Sequence, residues 1–147
     1  MTRERPSDLP YPSCAQCAGI GIYAGPDWQY DLEDDLGFDV LKAVILAHGG
    51  REMHVKNTPE PATDALGQAK IWMSKRFGAG KIIVHFGPLA RKNRVAWLIY
   101  TMLRDGASLA QIAEAANTTI RTVGRQKKRL QDMGALPAPD PSNTRRP

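Results

Sequence analysis

Residues 108–130 constrain the fold more than any other part of this chain. They read SLAQIAEAANTTIRTVGRQKKRL. Apolar residues recur through the first half at the spacing of one helix face, and Ser108 precedes them where a hydroxyl can cap the first turn. Asn117 follows, and asparagine adopts the left-handed conformation of a tight turn more readily than most non-glycine residues. The pattern therefore predicts two short helices joined by a tight turn.

The second of these helices is predicted to begin at a threonine cap, Thr118 or Thr119, and to be strongly basic. Its apolar side chains are expected to face inward and its basic side chains outward, with no acidic neighbour. The inward set is Ile120, Val123 and Leu130, and the outward set is Arg121, Arg125, Lys127, Lys128 and Arg129. Such a helix pair is typical of proteins that place a helix in the major groove of DNA.

Two residues of the second helix depart from this pattern. Gln126 stands where DNA-reading helices often have an apolar residue, and Gly124 costs a helix interior about 1 kcal/mol relative to alanine. The small Ala113 of the first helix, in contrast, allows the two helices to cross closely. A helical hairpin with a solvated basic face remains the alternative.

Charge is distributed unevenly along the 147 residues, whose net charge is +5. Residues 1–69 hold 5 basic and 11 acidic side chains, whereas residues 70–130 hold 13 basic and 2 acidic ones. A basic region attracts phosphate, and the counterions released on binding make its affinity for DNA fall with salt. We therefore expect double-stranded DNA as the partner of the C-terminal half.

Several classes of protein are disfavoured by the sequence. No apolar run approaches the ~20 residues that span a bilayer, and no apolar signal segment follows the N-terminal MTRERP. We therefore expect a cytoplasmic, nucleoid-associated protein without membrane contact. The basic half lacks a convergent acidic cluster, a nucleophile with a base and a phosphate-binding loop, so we expect neither an enzyme nor a cofactor. Asp31, Asp34 and Asp35 could bind a metal ion, but a solvated cluster at the start of a helix is favoured.

The two cysteines, Cys14 and Cys17, form a Cys-Ala-Gln-Cys pair. One pair supplies at most half of a four-ligand zinc site, and His48, His54 and His85 lack tight ligand spacing. A redox Cys-x-x-Cys would be expected near a βαβ pattern, which is not found here. We expect reduced thiols and no metal, with an intermolecular zinc clasp or a redox role as the alternatives.

Proline, glycine and hydrophobic spacing divide the rest of the chain. Residues 1–30 are rich in proline and glycine, which favours an extended, flexible arm. The acidic run at residues 31–35 is expected to begin a helix, because negative charge is favoured at a helix N-terminus. Further helices are predicted around 40–46, 63–77 and 89–104, and short strands at 51–55 and 81–86. The proline-rich residues 135–147 are predicted to be a disordered tail.

Two segments about thirty residues apart share the order Leu-Gly, helix, glycine stop and strand. They run from Leu36 to Val55 and from Leu66 to Val84, and either a degenerate duplication or chance similarity accounts for them. Isolated strands need partners, so we expect pairing between two subunits of a homodimer. A dimer would also present two basic helices to two half-sites.

These patterns predict a mostly α fold with one or two short β strands, in which a C-terminal helix-turn-helix follows a helix-strand dimerisation module. The predicted regions are a flexible arm at 1–30, a dimerisation region at 31–88, a DNA-binding domain at 89–134 and a disordered tail at 135–147.

The arrangement of residues 63–130 resembles the Mor transcription activator family of phage middle-gene regulators. The resemblance is carried by Leu66-Gly67, the stop Phe77-Gly-Ala-Gly, the strand Lys81-Ile-Ile-Val, the basic residues Arg91 to Arg94 and the helix pair that ends near Leu130. It implies an intertwined homodimer, a helix-turn-helix for the major groove, a β-strand region near the minor groove and recruitment of bacterial RNA polymerase.

The sequence thus predicts a dimeric, sequence-specific DNA-binding regulator in which three sets of residues contact DNA. Thr119, Arg121, Thr122 and Arg125, with Thr118 beside them, are expected near base edges; Lys127, Lys128 and Arg129 near phosphates; and Lys81, Arg91, Lys92 and Arg94 near the DNA backbone or minor groove. The alternative is a protein-binding adaptor or a repressor with only non-specific affinity for DNA.

Overall fold

The computed structural model describes residues 9–139, which divide into two compact units. The terminal unit contains residues 9–12, 16–22 and 91–139, and the central unit contains residues 13–15 and 23–90. Seven α-helices and a two-stranded antiparallel sheet lie within the described residues. The mostly helical fold with short strands that the sequence predicts is therefore confirmed.

Helices begin earlier in the chain than the proline and glycine content predicts. Helix α1 spans Cys14–Gly19 and α2 spans Asp27–Leu36. This corrects the prediction of a flexible arm at 1–30, of which residues 1–8 lie outside the described residues. The prolines do not interrupt either helix, because Pro12 precedes α1 and Pro26 stands at the N-cap of α2, where a missing N–H breaks no helical hydrogen bond.

The acidic run at residues 31–35 lies inside α2 and not at a helix N-terminus, although a further helix does begin nearby, at Phe38. One of its members nevertheless serves a helix N-terminus. The two carboxylate oxygens of Glu33 accept hydrogen bonds from the backbone N–H groups of Cys14, at 2.7 Å, and Ala15, at 3.0 Å. These first-turn donors have no partner within a helix, so Glu33 stabilises the start of α1.

The two helix-glycine-strand segments pair with each other inside the central unit. The first contains α3 (Phe38–His48) and β1 (Arg51–Val55), and the second contains α4 (Ala65–Phe77) and β2 (Gly80–Val84). β1 and β2 are antiparallel, with Arg51 opposite Val84 and Val55 opposite Gly80. Each strand has its partner in the same chain, which removes the reason for expecting the strands to pair between subunits.

Glycine turns with positive φ connect each helix of these segments to its strand. Gly50 has φ +77° before β1, and Gly78 has φ +77° before β2. Side chains on one face of the sheet, Met53, Val55 and Val84, are buried. The helix-strand boundaries that the sequence predicts are thus confirmed to within a few residues.

Three further helices build the terminal unit: α5 (Arg91–Arg104), α6 (Leu109–Ala116) and α7 (Ile120–Asp132). One buried cluster joins them and consists of Ile99, Ile112, Ala113, Ala116 and Val123. A second cluster contains Ile20, Leu130 and Leu136. The predicted tail at 135–147 is therefore corrected at its start, because Leu136 is packed against α7; residues 140–147 lie outside the described residues.

Candidate nucleic-acid interface

The helix pair α6 and α7 begins at a capping box. The Ser108 hydroxyl oxygen accepts a hydrogen bond from the Gln111 backbone N–H at 3.1 Å, and the Gln111 side-chain oxygen accepts one from the Ser108 N–H at 2.9 Å. Two first-turn donors are satisfied reciprocally, which fixes the residue at which α6 starts. The predicted cap at Ser108 is confirmed.

A turn of three residues, 117–119, joins the two helices. Asn117 lies in the left-handed region, with φ 55° and ψ 51°, as the sequence predicts. Of the two candidate caps, Thr119 takes the position: its hydroxyl oxygen accepts from the Thr122 N–H at 3.1 Å. Thr118 is half-buried within the turn.

Packing between the helices sets which face of α7 is turned outward. Ala113 and Ala116 of α6 are buried with Val123 of α7, so small side chains let the two helices approach. Leu130 is also buried and, seven residues after Val123, points in nearly the same direction. These two residues define the inner face of α7.

Ile120 does not belong to that inner face, which corrects the sequence prediction. Its side chain is 53% exposed. At about 100° per residue, a position three residues before Val123 is turned about 60° away from it, toward the flank of the helix. Ile120 is also the first residue of α7.

Four basic side chains of α7 are exposed, and they are Arg121, Arg125, Lys127 and Lys128. Lys128 lies 3.5 Å from Asp132, and both side chains are largely exposed. An exposed pair of this kind contributes little stability. The other three form no ion pair with any of residues 9–139. At about 100° per residue, Arg121, Arg125 and Lys128 lie on the outer face of α7, opposite Val123, whereas Lys127 is exposed at the edge of the inner face.

Arg129 differs from these exposed cations, although the sequence predicts it to contact phosphate. It is half-buried, and its guanidinium donates to the Ile20 carbonyl at 2.8 Å and to the Gln126 side-chain oxygen at 3.0 Å. Gln126 thereby has a structural role at the position where an apolar residue was expected. The position of Arg129 is that of a residue holding the N-terminal segment on α7.

Arg94 is engaged in a similar way. Its side chain is half-buried and donates to the carbonyl oxygens of Leu9 and Pro10. The guanidinium also lies 4.2 Å from the centre of the Tyr11 ring. The Arg94 guanidinium thus binds two carbonyl groups and an aromatic face within the terminal unit, and its predicted contact with DNA stays a prediction.

Three predicted basic residues lie elsewhere. Arg91 and Lys92 are exposed at the start of α5, within the terminal unit. Lys81 is exposed on β2 in the central unit, where it lies opposite His54 in the ladder. Of the predicted basic residues, Arg121, Arg125 and Lys128 therefore share one face of α7, whereas Arg91, Lys92 and Lys81 lie on other elements.

The acidic cluster and the cysteines have structural neighbours. Asp31 pairs with Arg76 at 2.7 Å, and Asp35 accepts from the Trp72 indole N–H at 2.7 Å. Cys14 and Cys17 are buried in α1 and form no disulfide. No group of three histidine, cysteine, aspartate or glutamate side chains among residues 9–139 is placed to hold a metal ion.

No known protein family, curated protein or solved structure matches the chain. In the described part of the chain, no helix is both long and apolar enough to cross a membrane. The resemblance to the Mor family therefore stays a prediction, and function is inferred from the geometry of this chain.

Proposed function

We propose that this chain is a sequence-specific DNA-binding regulator in which α6, the turn and α7 form a helix-turn-helix that places α7 in the major groove. One observation carries the proposal: α7 is held by its buried Val123 and Leu130, while its opposite face presents Arg121 and Arg125, which are exposed and form no ion pair with any of residues 9–139. An exposed cationic helix face complements the charge of the phosphates, and the major groove is wide enough to admit an α-helix.

Arg121 and Arg125 are proposed to read base edges. They lie four residues apart, so both project from the same side of the first two turns of α7. A guanidinium can donate two hydrogen bonds to the O6 and N7 atoms of guanine, which is the commonest specific contact in the major groove. Thr122 lies beside them, and Thr119 both caps the helix and donates its hydroxyl hydrogen to Thr122 at 3.0 Å.

Lys127 and Lys128 are proposed to contact phosphates, because a lysine acts mainly as a point charge and sets affinity for any sequence. Arg91 and Lys92 are proposed to do the same at the start of α5. Two cations at the positive end of a helix dipole are unfavourable within the chain, and a neighbouring phosphate would relieve that repulsion.

The proposal extends to a homodimer that activates transcription with bacterial RNA polymerase, as the Mor resemblance implies. Exposed apolar side chains of the central unit, Leu46, Ile83 and Phe86, are available for contact with a second copy. Light scattering on the full chain at micromolar concentration tests the dimer, and transcription of a reporter from a promoter that carries the selected DNA tests activation.

The central experiment is selection of DNA by the full chain from a pool of randomised duplexes, followed by footprinting of the enriched sequences. We expect a defined motif and steep weakening of binding with salt. Arg125→Ala should reduce the preference for that motif. Arg104→Ala is the matched control, because it removes one exposed positive charge from the same unit, where Arg104 is paired with Asp105.

An absence of any enriched motif would contradict the proposal. If the chain then bound DNA weakly and regardless of sequence while capturing a protein partner, the adaptor alternative would replace it. Equal effects of Arg125→Ala and Arg104→Ala would reduce the role of α7 to general electrostatic attraction.

A further inference from the structure

We infer that Ile120 contacts the 5-methyl group of a thymine and that Gly124 leaves room for the DNA to approach closely enough for this contact. The inference rests on the proposed function, and it names the base chemistry that the start of α7 reads. The sequence pattern predicted Ile120 to be buried, and it offered no reason for the helix-weakening Gly124.

Ile120 is a large apolar side chain on an otherwise polar surface. It is the first residue of α7, directly after the Thr119 cap and directly before the exposed Arg121. The inner face of the helix packs through Val123 and Leu130, and Ile120 belongs to neither of the two buried clusters of the terminal unit. Its exposed surface is available to a partner that has both negative charge and an apolar group.

Gly124 lies one turn after Ile120, on the flank between it and the outer face of α7. Glycine weakens a helix interior relative to alanine, so its presence in α7 needs a reason. Neither packing nor backbone geometry supplies one: a Cβ atom added at Gly124 would meet nothing within 4 Å, and its φ is not positive. The chain itself would accept alanine at this position.

The remaining explanation for glycine at position 124 is that another molecule approaches the helix closely there. A helical side chain covers the turn that precedes its own Cα, so a missing side chain at 124 leaves the surface beside Ile120 and Arg121 uncovered. Close approach of another molecule to the backbone is a common use of glycine. A base pair that enters this space would bring its edge to Ile120.

The chemistry of that surface selects one occupant. The exposed cations Arg121 and Arg125 border the open position, which favours a polyanion over an apolar peptide or a lipid surface. Within the major groove, thymine is the base that presents an apolar group, its 5-methyl, and aliphatic side chains recognise it by direct contact. A thymine next to a guanine that hydrogen-bonds Arg121 satisfies the apolar and the polar residue together.

The test uses the full chain and a duplex selected by it from a randomised pool. Each thymine of the motif is replaced in turn by uracil, which removes only the 5-methyl group. We expect one replacement per half-site to weaken binding by about 4-fold, the factor that corresponds to burying one methyl group. In Ile120→Ala the same replacement should have no effect, whereas Ile120→Val should keep part of it.

The cytosine ring carries the same methyl group when it is 5-methylated, so a second arm uses duplexes with 5-methylcytosine in place of each cytosine. A gain in affinity from methylation, combined with indifference to uracil, would assign the contact to 5-methylcytosine. In either arm the effect must disappear in Ile120→Ala.

The Gly124→Ala variant separates a role of Gly124 in DNA binding from a role in folding. We expect its thermal midpoint to rise, because alanine favours the helix, while its affinity for the selected duplex falls. A lower thermal midpoint would show that the glycine is needed for folding and would overturn its part of the inference. Unchanged affinity would overturn it as well.

The inference about Ile120 and the proposed function can be contradicted by different results. If the chain reads a motif selectively but no thymine or 5-methylcytosine is sensed, the inference about Ile120 is overturned while the proposed function stands. If no motif is selected, both are overturned together.

Discussion

The guanidinium of Arg129 donates a hydrogen bond to the carbonyl oxygen of Ile20 at 2.8 Å, which links α7 to a residue 109 positions earlier in the chain. Ile20 is itself buried beside Leu130. The inner side of α7 therefore anchors the N-terminal segment, while its outer side stays available to a partner. Basic residues that are adjacent in sequence, Lys128 and Arg129, have different tasks for this reason.

Replacement of Arg129 should affect stability more than DNA affinity. Arg129→Ala removes a charge-assisted hydrogen bond and leaves the Ile20 carbonyl without it, so we expect the unfolding free energy to fall by about 1–3 kcal/mol. Lys127→Ala, at an exposed position, should change it by less than about 0.5 kcal/mol. Chemical denaturation of both variants measures the difference. Wild-type stability combined with weaker DNA binding in Arg129→Ala would restore the phosphate role that the sequence predicted.

Arg121 and Lys127 should differ in what they contribute to DNA binding. Arg121→Ala should cost about 1–3 kcal/mol on the selected motif and little on random DNA, because a base contact is lost. Lys127→Ala should weaken both alike and reduce the slope of log affinity against log salt by about 1. Gel shifts at several salt concentrations test both statements. Equal losses on selected and random DNA for Arg121→Ala would contradict the base-reading role.

The turn between α6 and α7 should be sensitive to the residue at position 117. Asn117 has positive φ, a conformation that asparagine adopts more readily than most residues with a Cβ atom. For those other residues this conformation costs roughly 1–2 kcal/mol. We expect Asn117→Ala to lower the unfolding free energy by about 1 kcal/mol, and Asn117→Gly to be as stable as the wild type or slightly more so. Thermal denaturation compares the pair. A destabilised glycine variant would show that the asparagine side chain, and not its backbone conformation, holds the turn.

Stability should depend on the protonation of His48 at the end of α3. Partial burial lowers the pKa of His48 from 6.5, and the nearby cations Lys70 and Arg51 lower it further. The unfolded chain then takes up a proton more readily than the folded chain, so the unfolding free energy is largest above about pH 6.5 and falls as the pH drops below it.

His48→Gln isolates this contribution, because other groups titrate equally in both proteins. The wild type should lose more stability than His48→Gln between about pH 7.5 and about pH 5.5. Urea denaturation at the two pH values provides the comparison. Parallel losses in the two proteins would contradict the lowered pKa.

Signals that act over a few residues could be read from the sequence. Ser108, Asn117 and the glycines before each strand act on backbone groups within one turn of themselves, so their type and position predict where an element starts or stops. The same holds for the strand at 51–55, whose boundaries the structure repeats.

Contacts between distant segments could not be read in this way. Arg94 and Arg129 look like surface cations in the sequence, but carbonyl groups of the N-terminal segment bind both of them. The burial predicted for Ile120 was wrong for a different reason. Apolar spacing identifies a helix, but the packing of the neighbouring helix determines how far the buried face extends. The in-chain partner of each strand was also hidden, because no local pattern specifies which strand a strand will join.

The pairing of β1 with β2 has a consequence for how this protein assembles. The two strands are tethered by the chain between Val55 and Gly80, so each meets the other at an effective concentration fixed by that tether and not by the amount of protein in solution. Formation of the sheet is then a first-order process. It proceeds equally well at any concentration of the protein, whatever the oligomeric state of the chain.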